Sequence, residues 1–316
     1  MIKVQNSVSD IINEIEKGVV GKSDVLYKLM AAVLGGGHIL FEDFPGLAKT
    51  LIANSLASAL GLEFRRVQFT PDLLPGDITG GYVYNREESK FELRKGPIFT
   101  NILLADEINR ASPKTQSALL EAMQEKQVTI EGDTYPLPDP FIVIATQNPV
   151  EYEGTFPLPE AQLDRFIIKL SVGYPTVDEE KEILKRRRER QKDEVEIKKV
   201  ISGKELRDLM DLIETIHLDS DLEDYIVKLT AGTRNDHRVR VGASPRGSLA
   251  LMKLSMAHAA INGRDYVLPD DIKTFLLSAL SHRIMLEPDY WMRKHAAEEI
   301  LNGISRTVAV PVLQNR

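Results

Sequence analysis

Residues 37–59 read GHILFEDFPGLAKTLIANSLASA, and this order of elements decides the fold. An apolar strand at 38–41 leads into a loop at 43–50, and a helix follows the loop. The order is typical of a phosphate-binding loop, in which backbone N–H groups and the positive end of the helix surround a phosphate. Lys49 supplies a charge for the β and γ phosphate oxygens, and the Thr50 hydroxyl is a ligand for Mg²⁺. The stretch therefore predicts a bound nucleotide.

The loop departs from the general pattern G-x-x-x-x-G-K-[ST] at two positions. Asp43 stands where the first glycine belongs, and Ala48 replaces the glycine before the lysine. We expect the loop to tolerate the extra methyl group of Ala48. The Asp43 carboxylate would lower phosphate affinity unless it faces away from the loop. The alternative interpretation is a simple strand-to-helix turn, punctuated by Pro45 and Gly46, in which Lys49 is solvated.

Composition places the chain among ordinary soluble globular proteins, with 43% hydrophobic and 28% charged residues. Its 316 residues predict about two domains. The first ten residues lack the apolar segment of a signal peptide, and no apolar run is long enough to span a bilayer. We therefore expect a cytoplasmic protein that does not insert into membranes.

The same composition excludes several kinds of site. The absence of cysteine excludes disulfides and thiolate metal sites, and the six histidines have no metal-ligand spacing. A net charge of −7 argues against a nucleic-acid surface. The basic run at 185–192 is typical of a solvated helix face with ion pairs to nearby glutamates.

Short apolar, β-branched runs alternate with helical patterns in the first half of the chain. These runs predict strands at 38–41, 64–69, 101–105, 141–145 and 166–170. Strands separated by helices favour a five-stranded, mainly parallel sheet. Two segments with alternating polarity around polar turns, at about 78–95 and 126–138, predict β-hairpins inserted into this α/β domain.

Helical patterns precede the first strand and dominate the chain after Pro175. They predict helices at 8–17, 22–33, 179–192, 203–214, 221–232, 245–262 and 269–283. We therefore expect an α/β nucleotide-binding domain at 1–175 and an all-helical lid domain at 176–316.

Three polar positions follow predicted strands in the α/β part. Asp106 and Glu107 end one apolar strand, where one carboxylate can hold the hydration shell of Mg²⁺ and the other can activate water as a general base. Asn148 follows the next strand and can orient that water. The alternatives are a capped helix start for the carboxylates and ordinary Asn-Pro turn chemistry for Asn148.

Two arginines complete the set of candidates. Arg165 precedes the fifth strand, and Arg246 begins a helix of the predicted lid. The planar guanidinium suits the charge of a γ-phosphate, and an arginine supplied by a neighbouring subunit can accelerate hydrolysis by about 10³ to 10⁵. Taken singly, each arginine is more often a surface ion-pair residue.

The chain resembles the MoxR-type AAA+ ATPases over nearly its whole length. The resemblance is carried by the segments PGLAKT at 45–50, LADEINRASPKTQSALLEAMQE at 104–125, ATQNP at 145–149, LPEAQLDRF at 158–166 and GASPR at 242–246. It implies a P-loop NTPase (AAA+) core with a helical lid, ATP and Mg²⁺ as ligands, and two hairpins that are the helix-2 insert and the pre-sensor-one hairpin.

The resemblance also implies roles for individual residues. The catalytic roles are those of Glu107, Asn148 as sensor one, Arg165 as arginine finger and Arg246 as sensor two within its own subunit. The implied nucleotide contacts are Val19, Val20 and Gly21 around adenine, then Pro45, Gly46, Leu47, Ala48, Lys49, Thr50, Leu51 and Asp106. Thr50 and Asp106 hold Mg²⁺ largely through water. Arg110 is either a second arginine acting on a neighbour or a partner of Glu121 or Glu125.

The implied function is Mg²⁺-dependent ATP hydrolysis by a homo-oligomeric ring, expected to be a hexamer, that remodels a client protein. A von Willebrand A domain protein is the expected kind of partner. Two alternatives stay open, namely a nucleotide-gated assembly module with negligible turnover and an AAA+ motor acting on nucleic acid or transcription machinery. The acidic balance disfavours the latter.

Overall fold

A computed structural model describes residues 1–149, 155–291, 293 and 295–311. Up to residue 170 its helices and strands are, in chain order, α1 (Ile2–Ile15), α2 (Ser23–Leu34), β1 (His38–Glu42), α3 (Lys49–Ala59), β2 (Phe64–Gln68), α4 (Pro75–Thr79), β3 (Gly80–Asn85), β4 (Lys90–Lys95), β5 (Ile102–Asp106), α5 (Pro113–Glu125), β6 (Gln127–Ile130), β7 (Asp133–Pro136), β8 (Ile142–Gln147), α6 (Glu160–Leu163) and β9 (Phe166–Leu170).

Beyond residue 170 the chain is mostly helical. The elements are α7 (Val177–Arg190), α8 (Gly203–Ile213), α9 (Ser220–Asn235), β10 (Val239–Val241), α10 (Pro245–Ile261), α11 (Pro269–Leu280), β11 (Met285–Leu286), α12 (Pro288–Trp291) and α13 (Ala296–Thr307). None of the helices in the described ranges is both long enough and apolar enough to cross a membrane.

The central sheet has five parallel strands in the order β2-β5-β8-β1-β9. Each predicted strand is present within two residues of its expected bounds. The three central strands, β5, β8 and β1, are neighbours, so the loops that follow their carboxyl ends meet at one edge of the sheet. This confirms the predicted fold class and brings the phosphate loop next to the segments that contain Asp106 and Asn148.

Apolar side chains of the sheet alternate between two hydrophobic cores. Ile39 and Phe41 of β1 pack on one face, with α1, α2 and the helices after residue 170, whereas Leu40 packs on the other face with α5. Strands buried on both faces are expected to be apolar throughout, as β1 is. The first core crosses residue 175 without interruption because α10 packs against α1, α2 and β9. The domain boundary near Pro175 therefore stays a prediction.

A short antiparallel ribbon of β10 and β11 lies within the helical region, with Val239 opposite Leu286. The sequence analysis did not predict it, since strands of three and two residues show no measurable alternation. The basic run at 185–192 lies largely on the exposed helix α7, where Glu182 pairs with both Lys185 and Arg186. A solvated helix face is thus the correct interpretation of that run.

Both predicted hairpins are present and touch each other. Hairpin 1 consists of β3 and β4, and hairpin 2 of β6 and β7 joined by Glu131 and Gly132, both at positive φ. The Tyr82 hydroxyl of hairpin 1 donates to Asp133 Oδ2 at 2.9 Å and lies 2.7 Å from the Tyr135 hydroxyl, both in hairpin 2. Near the tip of hairpin 1, the rings of Tyr84 and Phe91 stack edge to face and are exposed.

Candidate functional site

A cleft of about 450 Å³ lies at the carboxyl edge of the sheet. It is lined by Pro45, Gly46, Leu47, Ala48, Lys49, Thr50, Leu51, Arg66, Gln68, Asp106, Glu107, Thr146 and Asn148. The structure therefore brings together the predicted phosphate loop, both predicted carboxylates and the predicted amide. These groups follow strands β1, β5 and β8, whose parallel pairing aligns their carboxyl ends.

The phosphate loop turns into α3 through two residues with positive φ. Gly46 has a φ of 82° and Ala48 a φ of 57°, and α3 begins at the next residue, Lys49. The Lys49 ammonium donates to the Asp43 carbonyl at 2.8 Å. Burial lowers the pKa of Lys49, although the charges of Asp43, Asp106 and Glu107 oppose the shift. The lysine thus lies among carboxylates at the first turn of a helix, a position suited to a polyphosphate.

Asp43 faces away from the phosphate loop. Its carboxylate is buried and accepts hydrogen bonds from the Ser171 hydroxyl at 2.7 Å and from the backbone N–H groups of Val172 and Gly173. The residue therefore fixes the segment after β9 to the end of β1. A loss of phosphate affinity was expected only from a carboxylate that faces the loop, and the Asp43 carboxylate has the other orientation.

The Asp106 carboxylate is hydrogen-bonded at both oxygens. Oδ1 accepts from the Thr146 hydroxyl at 2.6 Å, and Oδ2 accepts from Nε and Nη2 of Arg66 at 3.0 and 2.7 Å. Thr146 is buried, whereas about half of the Arg66 side chain is exposed. Asp106 is thus positioned from one side by a buried hydroxyl and from the other by the half-exposed guanidinium of Arg66.

Glu107 has a backbone conformation that is uncommon for residues other than glycine, with φ 56° and ψ 50°. Its N–H donates to the Thr146 hydroxyl at 2.8 Å. Its Oε2 accepts from Gln68 Nε2 at 2.7 Å and from Arg110 Nη1 at 3.1 Å. Strained backbone at the end of a strand is frequent at catalytic positions because it directs a side chain into a cleft.

Arg110 was expected either to act on a neighbour or to pair with Glu121 or Glu125. The structure instead pairs it with Glu107, three residues earlier. The 3₁₀ turn Ile108–Arg110 brings the two side chains onto the same side of the backbone. Arg110 therefore makes a contact inside the candidate site, and its proposed action on a neighbouring subunit stays a prediction.

Arg165 and Arg246 lie together in a second cleft of about 280 Å³, away from the phosphate loop. This cleft includes Gly37 at the N-terminal end of β1, whereas the phosphate loop follows its carboxyl end. Five strand residues separate the two ends by about 17 Å. Arg246 therefore lies apart from the phosphate loop of its own subunit in this structure, and its expected contact with the nucleotide stays a prediction.

The side chains of both arginines are held by α5. One Nη of Arg165 donates to the Leu120 carbonyl, and Arg246 Nη2 donates to Gln124 Oε1 at 3.2 Å. Nε of Arg165 is buried and has no hydrogen-bond partner among the residues that the structure describes. Burial and the neighbouring charge of Arg246 lower the pKa of Arg165. Two adjacent guanidinium groups with an unused donor are suited to an anion.

A buried ion pair fixes the two arginines relative to each other. Arg283 donates from Nε to Asp164 Oδ1 at 2.8 Å, and the Ser244 hydroxyl donates to Asp164 Oδ2 at 2.7 Å. Asp164 directly precedes Arg165, and Ser244 caps the helix that carries Arg246. Asp164 thus connects the chain before β9 to the start of α10.

The predicted adenine contacts do not line the phosphate-loop cleft. Val19 is buried, Val20 is partly buried, and a Cβ added at Gly21 would lie 2.0 Å from Glu179 at the start of α7. Lys22 continues this contact by donating to the Tyr174 carbonyl at 3.0 Å. The adenine role of residues 19–21 stays a prediction.

Three residues of the site were missed by the sequence analysis. Arg66 and Gln68 lie on the edge strand β2, where a polar residue is usually solvated, and Thr146 lies inside the apolar strand β8. One signal was available for Gln68: it ends a strand, as Asp106 does, and the two residues are register partners.

Two family models match this chain. The profile of the ATPase family associated with various cellular activities (AAA) matches residues 38–168, and that of an AAA lid domain matches residues 231–304. The chain is 48% identical over 301 residues to the uncharacterized protein YeaC of Bacillus subtilis (strain 168). The aligned region covers 95% of this chain and 94% of YeaC.

Two further similarities extend over nearly the whole chain. Chaperone MoxR1 of Mycobacterium tuberculosis is 41% identical over 309 residues, covering 95% of this chain and 81% of that protein. A crystal structure from Cytophaga hutchinsonii, described as a candidate ATPase, superposes with a TM-score of 0.91 at 42% identity, covering 98% of this chain and 97% of that one.

Proposed function

Because the chain belongs to the MoxR family of AAA+ ATPases, we propose that it hydrolyses ATP with Mg²⁺ as a ring of identical subunits. The ring, expected to have six subunits, would remodel a client protein in the cytoplasm. The observation that carries the proposal is the common cleft of the phosphate loop, Asp106, Glu107 and Asn148.

The donors in this cleft fit Mg²⁺ bound together with a nucleotide. Mg²⁺ is usually held by one or two protein oxygens and by phosphates, with water completing the shell. Thr50 and Asp106 supply such oxygens, and the described residues contain no cluster of three or more acidic or histidine ligands that would hold the ion alone. When bound, Mg²⁺ would neutralise charge on the β and γ phosphates.

The residues of the cleft divide the work of hydrolysis. The N–H groups at the start of α3 and the Lys49 ammonium bind the phosphates. Glu107 accepts a proton from the attacking water, and the buried amide of Asn148 orients that water. In this structure Gln68 and Arg110 both donate to one oxygen of Glu107, Oε2, and we assign the other oxygen, Oε1, to the attacking water.

The second cleft would complete the site of the next subunit. Arg165 and Arg246 lie about the length of β1 from the phosphate loop of their own chain, so neither serves that loop in this arrangement. In a ring, the face with these arginines would meet the nucleotide of a neighbour. We therefore assign both arginines to stabilisation of γ-phosphate charge across the subunit boundary.

The two hairpins are the proposed contact to the client, and a von Willebrand A domain protein is the expected partner. Hairpin 1 exposes Val83, Tyr84 and Phe91, side chains of the kind that bind other proteins. Movement of the lid during hydrolysis would shift these surfaces. The net charge of −7 favours a protein client over nucleic acid.

The proposed function is tested by Glu107→Gln. Loss of the general base should lower ATP turnover of the assembled ring by about 10² to 10⁴ while ATP binding is retained. Glu131→Gln is the matched control because Glu131 also has a positive φ but lies in the turn of hairpin 2. The measurements are phosphate release at several protein concentrations and binding of radiolabelled ATP.

Two results would change the assignment. Equal phosphate release by the wild type and Glu107→Gln would remove Glu107 from the role of base. A wild-type ring that binds ATP tightly and releases no phosphate would instead support the nucleotide-gated assembly module.

A pull-down with Glu107→Gln and ATP identifies the client, since the variant should hold ring and client together.

A further inference from the structure

Among the residues that the structure describes, Arg66 is the one cation in the phosphate-loop cleft that contacts Asp106, the carboxylate predicted to bind Mg²⁺. Its Nε and Nη2 both donate to Asp106 Oδ2, at 3.0 and 2.7 Å. Neither the motifs in the sequence nor the family roles assign a function to this arginine. Its position follows from the register of β2 and β5, which sets Arg66 opposite Leu104 and Gln68 opposite Asp106.

The same guanidinium also reaches the second carboxylate through Gln68. Arg66 Nη2 donates to Gln68 Oε1 at 2.8 Å, and Gln68 Nε2 donates to Glu107 Oε2 at 2.7 Å. An amide that accepts with its oxygen presents its N–H₂ on the other side. Arg66 thus orients Gln68 toward Glu107 while it neutralises Asp106.

The arrangement conflicts with metal binding at Asp106. Oδ2 already accepts hydrogen bonds from two N–H groups of Arg66, and Oδ1 accepts one from the Thr146 hydroxyl. A divalent cation whose hydration shell is held by Asp106 would meet the guanidinium at the same carboxylate, where the two positive charges repel each other. Because about half of the Arg66 side chain is exposed, it can leave toward solvent without disturbing the core.

We propose that Arg66 competes with Mg²⁺ for Asp106 and that it is displaced from this carboxylate when Mg²⁺ and nucleotide bind. Its departure removes the donor that orients Gln68, so that the hold of Gln68 on Glu107 weakens in the loaded state. Arg66 is a positioning residue in this account, since it acts through Asp106 and Gln68. The inference rests on the proposed binding of Mg²⁺ with ATP.

The test measures nucleotide binding against Mg²⁺ concentration, without turnover. Binding of a fluorescent ATP analogue is followed in metal-buffered solution for the wild type, Arg66→Met and Arg65→Met. Methionine keeps an aliphatic stem and removes the charge. Arg65→Met is the matched control because Arg65 is the neighbouring residue but pairs with Glu63 outside the cleft.

Arg66→Met should lower the half-saturating Mg²⁺ concentration by about three- to tenfold, as expected for removal of a half-exposed ion pair. Arg65→Met should leave the value within about twofold. Arg66→Lys should lie between the wild type and Arg66→Met because a single ammonium cannot reproduce the fork to Asp106 and Gln68. Thermal melting of each variant without ligand establishes that the fold is intact.

The outcomes separate this inference from the proposed function. A wild type whose analogue binding is independent of Mg²⁺ would overturn the role of Arg66, whereas the proposed hydrolysis is judged by phosphate release from Glu107→Gln. A Mg²⁺-dependent wild type with an unchanged or higher Mg²⁺ requirement in Arg66→Met would overturn the role of Arg66 alone. In that case the guanidinium would support the bound state and not oppose it.

Discussion

Ala48 occupies the last loop position before α3 with a φ of 57°, a conformation that disfavours residues with a Cβ. Glycine is the usual residue there because it adopts positive φ without strain. The alanine is nevertheless accommodated, since its side chain is exposed and α3 begins immediately after it. The departure from the general motif therefore affects the energy of the backbone at this position.

Ala48→Gly should raise the free energy of unfolding by about 1 kcal/mol, because glycine relieves the strain of the positive φ. Nucleotide binding should be kept. Urea unfolding monitored by circular dichroism measures the change. The control is Ala297→Gly in α13, where glycine replaces a helical residue and should lower the free energy by about 1 kcal/mol. A loss of stability in Ala48→Gly would contradict the strain argument.

The candidate residues that end strands were predictable one by one. Asp106, Glu107 and Asn148 each follow an apolar run, and such runs pair in parallel with their carboxyl ends together. The orientation of Asp43 was not predictable, because its partners at 171–173 are distant in sequence. Arg66 was not predictable either, since an arginine on an edge strand is ordinarily solvated.

His38 connects three elements at the scale of the sheet. Its Nδ1 accepts from the Val143 N–H of β8 at 3.0 Å, so Nε2 carries the proton and donates to the Met123 carbonyl of α5 at 3.0 Å. The ring therefore joins β1, β8 and α5 as a neutral imidazole. Burial lowers the pKa of His38 to about 4.

The free energy of unfolding should fall as the pH drops from 6.5 to 4. The unfolded state binds a proton at His38 below its ordinary pKa of about 6.5, whereas the folded state does so only near 4. The group contributes about 3 kcal/mol above pH 6.5, and this is lost below pH 4. The buried His282, whose pKa is also lowered, adds to the slope. Asp236 does not, since Arg238 lowers its pKa to about 2.

Urea unfolding at pH 7, 6, 5 and 4 measures this slope. His38→Asn should show a weaker pH dependence than the wild type by about 3 kcal/mol across the range. His237→Asn is the control, because the His237 side chain is 85% exposed. A wild-type slope retained in full by His38→Asn would exclude His38 as its source.

Elements with a clear period were predictable, and very short ones were not. The five sheet strands follow from apolar, β-branched runs, and both hairpins follow from alternation and turn chemistry. The ribbon of β10 and β11 forms because α9 and α11 bring two short segments together, and no local pattern encodes that approach. The position of α10 against α1 and α2 likewise depends on tertiary packing.

The whole molecule carries two complementary clefts at opposite ends of β1. One contains the phosphate loop and two carboxylates, and the other contains Arg165 and Arg246. Under the proposed function, a single chain holds the parts of one site at two separated places. Sequence order cannot reveal this, because the residues that line the two clefts are interleaved along the chain.

Mixed rings test whether the arginines act across the boundary. Lys49→Ala removes phosphate binding, and Arg165→Ala removes the finger, so each variant alone should be inactive. Mixing them should restore phosphate release to about a quarter of the wild-type rate, since random neighbours include pairs with an intact phosphate loop and an intact arginine. Mixing Arg165→Ala with Arg246→Ala is the control and should restore less, because both lesions lie on the same face. No recovery in the first mixture would indicate that Arg165 serves its own chain.

The hydroxyl of Tyr82 connects the two hairpins to each other, and through hairpin 2 it connects hairpin 1 to α5. It fastens hairpin 1 to hairpin 2 through Asp133 and Tyr135. Hairpin 2 continues directly from α5, and α5 presents Leu120 and Gln124 to the two arginines. A force applied at the exposed rings of hairpin 1 would therefore be transmitted through hairpin 2 to α5. Movement of α5 would displace the guanidinium groups of Arg165 and Arg246, which are hydrogen-bonded to it. If hairpin 1 binds a client and the two arginines act on a neighbour's nucleotide, as proposed, one displacement of α5 would change both contacts.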